Sequence, residues 1–232
     1  MILCFDFGNT RLKFAIFDGK DWVKSGFITD LTFESILNIE NPKLIKQLVI
    51  CSVIAIPTEL LAHLEQHYTV RFIRKEDSHL RFTHYDPTTL GLDRIILAEA
   101  CLHQFPKQNC LCICLGTCIT YNLIQSSGEF VGGAISPGLS LRAKSMAQFT
   151  DQLPLITPNP PFNVWGKDTP TNLQAGVMAG TLFEIKGFVE EAKIHYPDLQ
   201  VILTGGDAAF FADYYPIDEN LAWKGYISML EC

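Results

Sequence analysis

Two spacings of apolar residues alternate along this chain and set most of its expected elements. Residues 2–7 are apolar apart from Asp6, and Leu12, Phe14 and Ile16 then alternate with polar neighbours. A period of two marks strands, and Gly8-Asn9-Thr10 between them marks a tight turn. Asp18-Gly19-Lys20 is a second hairpin turn, before a third strand over 22–28. Helical spacing follows over 33–39 and 57–68, where Leu60, Leu61 and Leu64 form an apolar stripe. A buried strand is expected between them over 48–53, and a short one over 70–73. His84-Tyr85-Asp86-Pro87-Thr88-Thr89 is rich in turn formers, and 92–105 is again helical, with Ile95, Ile96, Ala98, Ala100 and Leu102 inward.

The order then restarts. Residues 110–115 read as a buried strand, Gly116-Thr117 as a turn and 119–124 as the return strand. Gly128 turns the chain into Phe130-Val131, and Gly132-Gly133 and Pro137-Gly138 precede a helix over 139–149. A proline-rich loop over 154–161 leads to a long helix over 171–196 with Leu173, Val177 and Phe183 among its apolar positions. A strand over 201–203 ends in Thr204-Gly205-Gly206-Asp207, and helices over 208–214 and 220–229 close the chain. Leu3-Cys4-Phe5-Asp6-Phe7-Gly8 superposes on Leu111-Cys112-Ile113-Cys114-Leu115-Gly116. Two stretches with the same order of elements predict a duplicated α/β lobe with a cleft between, divided as 1–107 and 108–232.

Composition narrows the class further. With 232 residues, 48% apolar and 19% charged, the chain is expected to bury a packed core rather than stay disordered. No apolar run approaches the roughly 20 residues that span a bilayer. The opening residues lack a basic region and a small-residue cleavage site, so they do not read as a signal peptide. Net charge is −7, with no block of Lys or Arg, which argues against nucleic acid as a partner. The eight cysteines have no C-x-x-C spacing and read as reduced core thiols in a cytoplasmic protein.

Several stretches carry candidate chemistry. In Asp6-Phe7-Gly8-Asn9-Thr10-Arg11-Leu12-Lys13 a buried strand delivers one carboxylate to its end, and Gly8 allows close backbone approach. Backbone N–H groups and the Thr10 hydroxyl suit a phosphate, Lys13 a phosphate charge, and Asp6 a Mg²⁺ held directly or through water. An ordinary hairpin with surface cations accounts for the same residues equally well. No Walker A spacing occurs, and a strand rather than a helix follows the turn, which excludes a dinucleotide fingerprint. In Gly91-Leu92-Asp93-Arg94, Asp93 falls in the first turn of a helix, where the dipole favours a carboxylate. It suits general-base work on a hydroxyl, beside an arginine able to hold an anion; a charged helix start is the plainer alternative. Gly116-Thr117-Cys118-Ile119-Thr120 repeats the first turn, and Thr204-Gly205-Gly206-Asp207 follows a late strand.

Taken in order, these motifs resemble the type III pantothenate kinases of the acetate kinase/Hsp70/actin superfamily. The likeness rests on Asp6-x-Gly-Asn-Thr10-Arg-x-Lys13, Gly91-x-Asp93-Arg94, Gly116-Thr117-x-x-Thr120, Gly133-x-Ile-x-Pro137-Gly138 with Leu141, Leu153-Pro154, Thr169 with Gln174 and Gly176, and Thr204-Gly205-Gly206. It implies two RNase H-like, actin-like ATPase lobes with mixed sheets flanked by helices. It implies transfer of the ATP γ-phosphate to the primary hydroxyl of pantothenate, the first step of coenzyme A synthesis. Asp93 would accept the proton, and Asp6 to Lys13 with Thr117 would contact ATP. His84 or Tyr85, Gly91, Leu92, Asp93 and Arg94 would contact pantothenate. Thr169 would reach the substrate of a neighbouring subunit in a homodimer. A divalent cation such as Mg²⁺ and a monovalent K⁺ or NH4⁺ are implied as well.

The sequence departs from the family at three positions. Cys114 stands where the family has the aspartate that looks like its monovalent-cation ligand, and a neutral thiol is a poor partner for a hard K⁺. Asn122 stands where an aspartate closes the second phosphate motif, which keeps an acceptor oxygen but loses the charge. His84 occupies the position of a substrate-binding tyrosine, with Tyr85 one step later. The first two losses leave room for a catalytically impaired relative with a regulatory or binding role. Another small-alcohol kinase of the same superfamily is the remaining alternative.

Overall fold

The computed structural model describes residues 1–7, 12–28, 32–52 and 56–230. Contacts divide the chain into two units, Met1–Ser78 with Trp223–Cys232, and His79–Ala222.

In the first unit β1 (Ile2–Phe7), β2 (Leu12–Asp18) and β3 (Asp21–Ile28) form an antiparallel meander. α1 (Phe33–Leu37) starts at Thr32, whose hydroxyl accepts from the Ser35 N–H at 3.2 Å. β4 (Gln47–Ser52) then returns parallel to β1, and α2 (Thr58–His67) leads into β5 (Thr69–Phe72). The strand order is β3-β2-β1-β4-β5. Leu3, Phe5, Phe7, Ile16, Leu48, Ile50 and Leu64 make its core. The continuous apolar run in β1 is what a strand covered on both faces requires.

The second unit opens with α3 (Leu92–Gln104) and runs through β6 (Cys110–Leu115), β7 (Cys118–Ile124) and β8 (Phe130–Pro137). α4 (Leu139–Gln148), the long α5 (Thr169–His195) and β9 (Gln200–Thr204) follow; α6 (Leu221–Met229), from Trp223 on, belongs to the first unit. The sheet order is β8-β7-β6-β9, again an antiparallel meander with one parallel strand added beside its first strand. β3-β2-β1-β4 and β8-β7-β6-β9 are the same pattern, so the short sequence repeat marks a repeat of topology. α3 packs on β6 and β7 and so groups with the strands that follow it.

Residues opposed across neighbouring strands share a face. On one face of the second sheet Cys114 lies opposite Thr120 and Thr204, Cys112 opposite Asn122, and Asn122 opposite Gly133. α3 covers this face. Ile113, Leu115, Ile119 and Tyr121 face the other way and pack with Val177, Met178, Leu182, Ile185 and Val189 of α5.

Two elements differ from the sequence expectation. Residues 208–214 form only a short 3₁₀ turn, Ala208–Phe211. The Leu203 N–H donates to the Pro216 carbonyl at 2.9 Å, which draws the chain alongside β9 before a helix can propagate. β8 runs on through Gly132-Gly133 to Pro137, because Gly133 takes a strand position where a side chain would not fit. Among the described residues no helix is long and apolar enough to cross a membrane.

Residues 79–84 are sewn to the second unit by two buried carboxylates. Glu99 accepts from the N–H groups of His79 at 2.5 Å and Leu80 at 3.1 Å. Glu129 accepts from the Thr83 N–H at 2.5 Å and its hydroxyl at 2.7 Å. These bonds fix the start of the loop that carries His84 and Tyr85.

Candidate active site

The start of α3 assembles the most distinctive group. Gly91 is its N-cap, and its carbonyl accepts from Arg94 and Ile95 at 3.1 and 3.2 Å. Leu90 is buried just before it, while Leu92 is half-buried. Asp93 is exposed in the first turn and folds its Oδ1 back over Gly91, where a Cβ would collide with it. The helix N-terminus favours the ionised form of such a carboxylate.

Arg94 points the other way and is 7% exposed. Its Nε donates to Asn122 Oδ1 at 2.6 Å and its Nη2 to the Tyr121 carbonyl at 3.0 Å. The guanidinium lies 5.7 Å from the Phe130 ring centroid, and Tyr85 meets the same ring edge-on at 4.9 Å. No ion pair among the described residues includes Arg94. Asn122 is fully buried, and its Nδ2 has no hydrogen-bond partner among the described residues. Of the two candidates in the preceding loop, Tyr85 joins this cluster through Phe130, whereas His84 is exposed.

At the ends of β6 and β9 three glycine turns converge. The Gly138 N–H donates to the Thr117 carbonyl at 3.0 Å and the Asp207 N–H to the Leu115 carbonyl at 3.1 Å. A Cβ on Gly138 would strike the Gly116 and Thr117 carbonyls, whereas one on Gly206 would meet nothing within 4 Å. Thr117 is exposed at this turn. An open, glycine-lined turn at the carboxyl end of parallel strands fits a nucleotide phosphate. Burial pushes the Asp207 carboxyl above its ordinary range.

In the first unit Asp6 lies opposite Lys13 on β2 and Cys51 on β4. Lys13 is exposed and Leu12 is half-buried. The Phe7 ring is in the core against Phe5, which leaves only its backbone for a ligand. Gly8, Asn9, Thr10 and Arg11 lie outside the described residues. Sequence reasoning missed Tyr226, which shares a hydrogen bond with Cys51. Burial and then the nearby Asp6 charge push its hydroxyl well above the usual range, keeping it a neutral donor. Nothing in the helical pattern of 220–229 distinguishes Tyr226 from an ordinary core aromatic. Burial alone pushes the Cys4 thiol up to about 12.

Sequence reasoning also missed Glu184 on α5. It accepts from Tyr121 Oη at 2.8 Å, Ser136 Oγ at 2.5 Å and Arg142. Arg142 Nε also donates to the Pro137 carbonyl at 2.7 Å, which ties the turn before α4 to α5. Burial raises the Glu184 carboxyl, but the bonds from Arg142, Ser136 and Tyr121 outweigh it and leave it below its ordinary 4.5. Bonds from Thr83 hold Glu129 below 4.5, and those from Thr171 hold Asp168, the N-cap of α5, below 3.8. A carboxyl lowered on folding stabilises the fold above its unfolded value, and that stability is lost as pH falls through the folded one. Asp207, raised on folding, acts in the opposite sense. The melting temperature is therefore expected to hold from pH 7 to about 5 and to fall steeply below about 4. Differential scanning calorimetry across that range checks it, and Glu184→Gln should blunt the fall.

Cys114 is half-buried between Thr120 and Thr204, and Thr169 is exposed at the first turn of α5.

Paired sheets of one repeated order, with glycine turns at their strand ends, define the α/β fold of the sugar kinases and actin-like ATPases. Among solved structures, a Campylobacter jejuni protein named a Baf family transcriptional activator superposes with a TM-score of 0.65 at 21% identity, over 99% of this chain and 97% of that one. A Listeria monocytogenes protein named an N-acetylmannosamine kinase reaches 0.50 at 13% identity, over 99% and 98%. The family profile of the type III pantothenate kinases matches residues 2–191. Relatives of that name are 39% identical in Flavobacterium psychrophilum, over 91% of this chain and 89% of theirs, and 37% in Bacteroides fragilis, over 89% and 86%. This chain belongs to the type III pantothenate kinase family.

Proposed function

We propose that this protein transfers the γ-phosphate of ATP to the primary hydroxyl of pantothenate, opening coenzyme A synthesis in the cytoplasm. The observation that carries the reading is the start of α3, where an exposed carboxylate, Asp93, is followed in sequence by a buried guanidinium, Arg94, that has no carboxylate partner among the described residues. A base beside an anion-seeking group suits an acceptor that carries both a hydroxyl and a carboxylate, as pantothenate does.

Asp93 takes the proton of the hydroxyl as its oxygen forms the bond to the γ-phosphorus. The bond from phosphorus to the bridging oxygen breaks in line, and ADP leaves. Arg94 pairs with the pantothenate carboxylate. Tyr85, edge-on to the Phe130 ring of the Arg94 cluster, is the better substrate contact than His84. Lys13, the backbone at 7–10 and Thr117 are the ATP contacts. Asp6 suits Mg²⁺, which binds through one or two carboxylates, waters and substrate phosphates rather than an all-protein cage. When bound, Mg²⁺ neutralises charge on the transferring phosphates. The thiol of Cys114 does not fit K⁺ or NH4⁺, and no step here depends on either ion. Omitting K⁺ should therefore change the rate little.

Thr169 is proposed to reach the substrate of a second subunit. The exposure of Thr169 and of Phe183 and Phe188, all on α5, supports a homodimer. Sedimentation equilibrium should give twice the chain mass; a monomer that is fully active would remove Thr169 from the site. The activity itself is tested with a panel of hydroxyl compounds under one ATP-consumption readout. Pantothenate alone should be turned over, and preferential turnover of a sugar would overturn the assignment.

A further inference from the structure

We propose that Glu184 of α5 is a positioning residue for the nucleotide, acting through Arg142 to hold the turn that carries Thr117. The proposal rests on the reading of Thr117 as an ATP contact and is independent of which acceptor is phosphorylated.

The end of β8 is where the turn needs support. Pro137 lies opposite Cys118 at the last position of the β7–β8 ladder, and proline has no N–H to give a ladder. Gly138 follows, seated against the other turn. Its N–H donates to the Thr117 carbonyl at 3.0 Å, and its lack of a Cβ leaves room for the Gly116 and Thr117 carbonyls. The placing of Gly138 therefore sets the placing of the Thr117 turn.

Arg142 holds Pro137 and Gly138 from one turn further along α4. Its backbone N–H donates to the Gly138 carbonyl at 2.9 Å, and its Nε to the Pro137 carbonyl at 2.7 Å. A long flexible side chain must give up rotamer freedom to make the second bond. Glu184 supplies the fixed orientation. Its Oε1 accepts from the Tyr121 and Ser136 hydroxyls at 2.8 and 2.5 Å, and its Oε2 accepts from Arg142 Nη2. Burial and then the bond to Glu184 push the Tyr121 hydroxyl above its usual range, so it stays a donor. Two hydroxyls thus anchor the carboxylate to β7 and β8, and its second oxygen is presented to the guanidinium. Ser136 Oγ also accepts from Nη2 at 3.3 Å. An ion pair that merely linked α4 to α5 would need no bond to Pro137. Here the charge-assisted pair aims Nε at the backbone beside the phosphate turn.

The test is a calorimetric titration with β,γ-imido-ATP and Mg²⁺, with KM for pantothenate measured at saturating ATP. Wild type is compared with Arg142→Lys, Glu184→Ala and the double variant. Arg142→Lys keeps a cation for Glu184 but loses the forked bond to Pro137. Each single variant should bind the nucleotide about tenfold more weakly, while KM for pantothenate moves by no more than about twofold. The double variant should bind no more weakly than Arg142→Lys, because Glu184 acts through Arg142. A melting curve on each preparation shows that it is folded at the assay temperature. If Glu184→Ala does not fold, Glu184→Gln, which keeps the shape and removes the charge, takes its place with the same expected direction. Full nucleotide affinity in either folded single variant overturns the proposal. Equal losses on nucleotide and pantothenate overturn it, as does a double variant whose losses add. Wild type that binds no nucleotide overturns the Thr117 contact, and this proposal with it. Wild type that binds the nucleotide but phosphorylates no pantothenate overturns only the acceptor assignment, and the titrations still decide this one.

Discussion

Asp93→Asn is expected to lower kcat by about 10²- to 10⁴-fold, the usual contribution of a positioned general base. The amide keeps the size of the carboxylate and cannot take the hydroxyl proton. KM for ATP should stay within about twofold, since no ATP contact is assigned to Asp93. The fold should survive, because Asp93 is exposed and its loss removes only a helix-dipole interaction, worth about 0.3–1 kcal/mol. Steady-state kinetics and a melting curve on the same preparation separate the two effects. A variant with full kcat would remove Asp93 from the chemistry.

The largest effect on stability is expected from Gly133→Ala. A Cβ there would overlap the Tyr121 carbonyl, which is backbone, and lie 2.7 Å from Arg94 Nη2. The first cannot move without breaking the β7–β8 ladder, and the second is held by Asn122 and the same carbonyl. A loss of about 3 kcal/mol follows from overpacking of this kind, or roughly 6–12 °C in melting temperature for a chain of this length. Gly187→Ala is the control. Gly187 lies within α5 with open space at its Cβ, so alanine should stabilise by up to about 1 kcal/mol. Equal melting temperatures for the two variants would show that the close approach at Gly133 is not real.

Much of the fold was legible because its signals are local. The period of two in Leu12, Phe14 and Ile16 and the matching runs at Leu3 and Leu111 come from strand burial, and the strand orders around β1 and β6 agree with them. Asp93 was legible as a carboxylate at a helix start for the same reason. The role of Arg94 was legible only in part. Its charge indicates an anion, but its burial depends on Asn122, Phe130 and Gly133, all distant in sequence. Gly132-Gly133 read as the lead-in to a helix; here Gly133 is a strand residue that admits its neighbours. Glu184 was missed because its partners Tyr121, Ser136 and Arg142 come from β7, β8 and α4, and no spacing within α5 reports them. The helix expected over 208–214 failed because Pro216 commits the chain to the edge of β9.

The most direct measurement is mass spectrometry of the product. Purified protein with ATP and Mg²⁺ is expected to convert pantothenate to phosphopantothenate, with ADP formed in equal amount and with the same result when K⁺ is omitted. Absence of phosphopantothenate at saturating ATP, with or without K⁺, would contradict the assignment of this site as a pantothenate kinase.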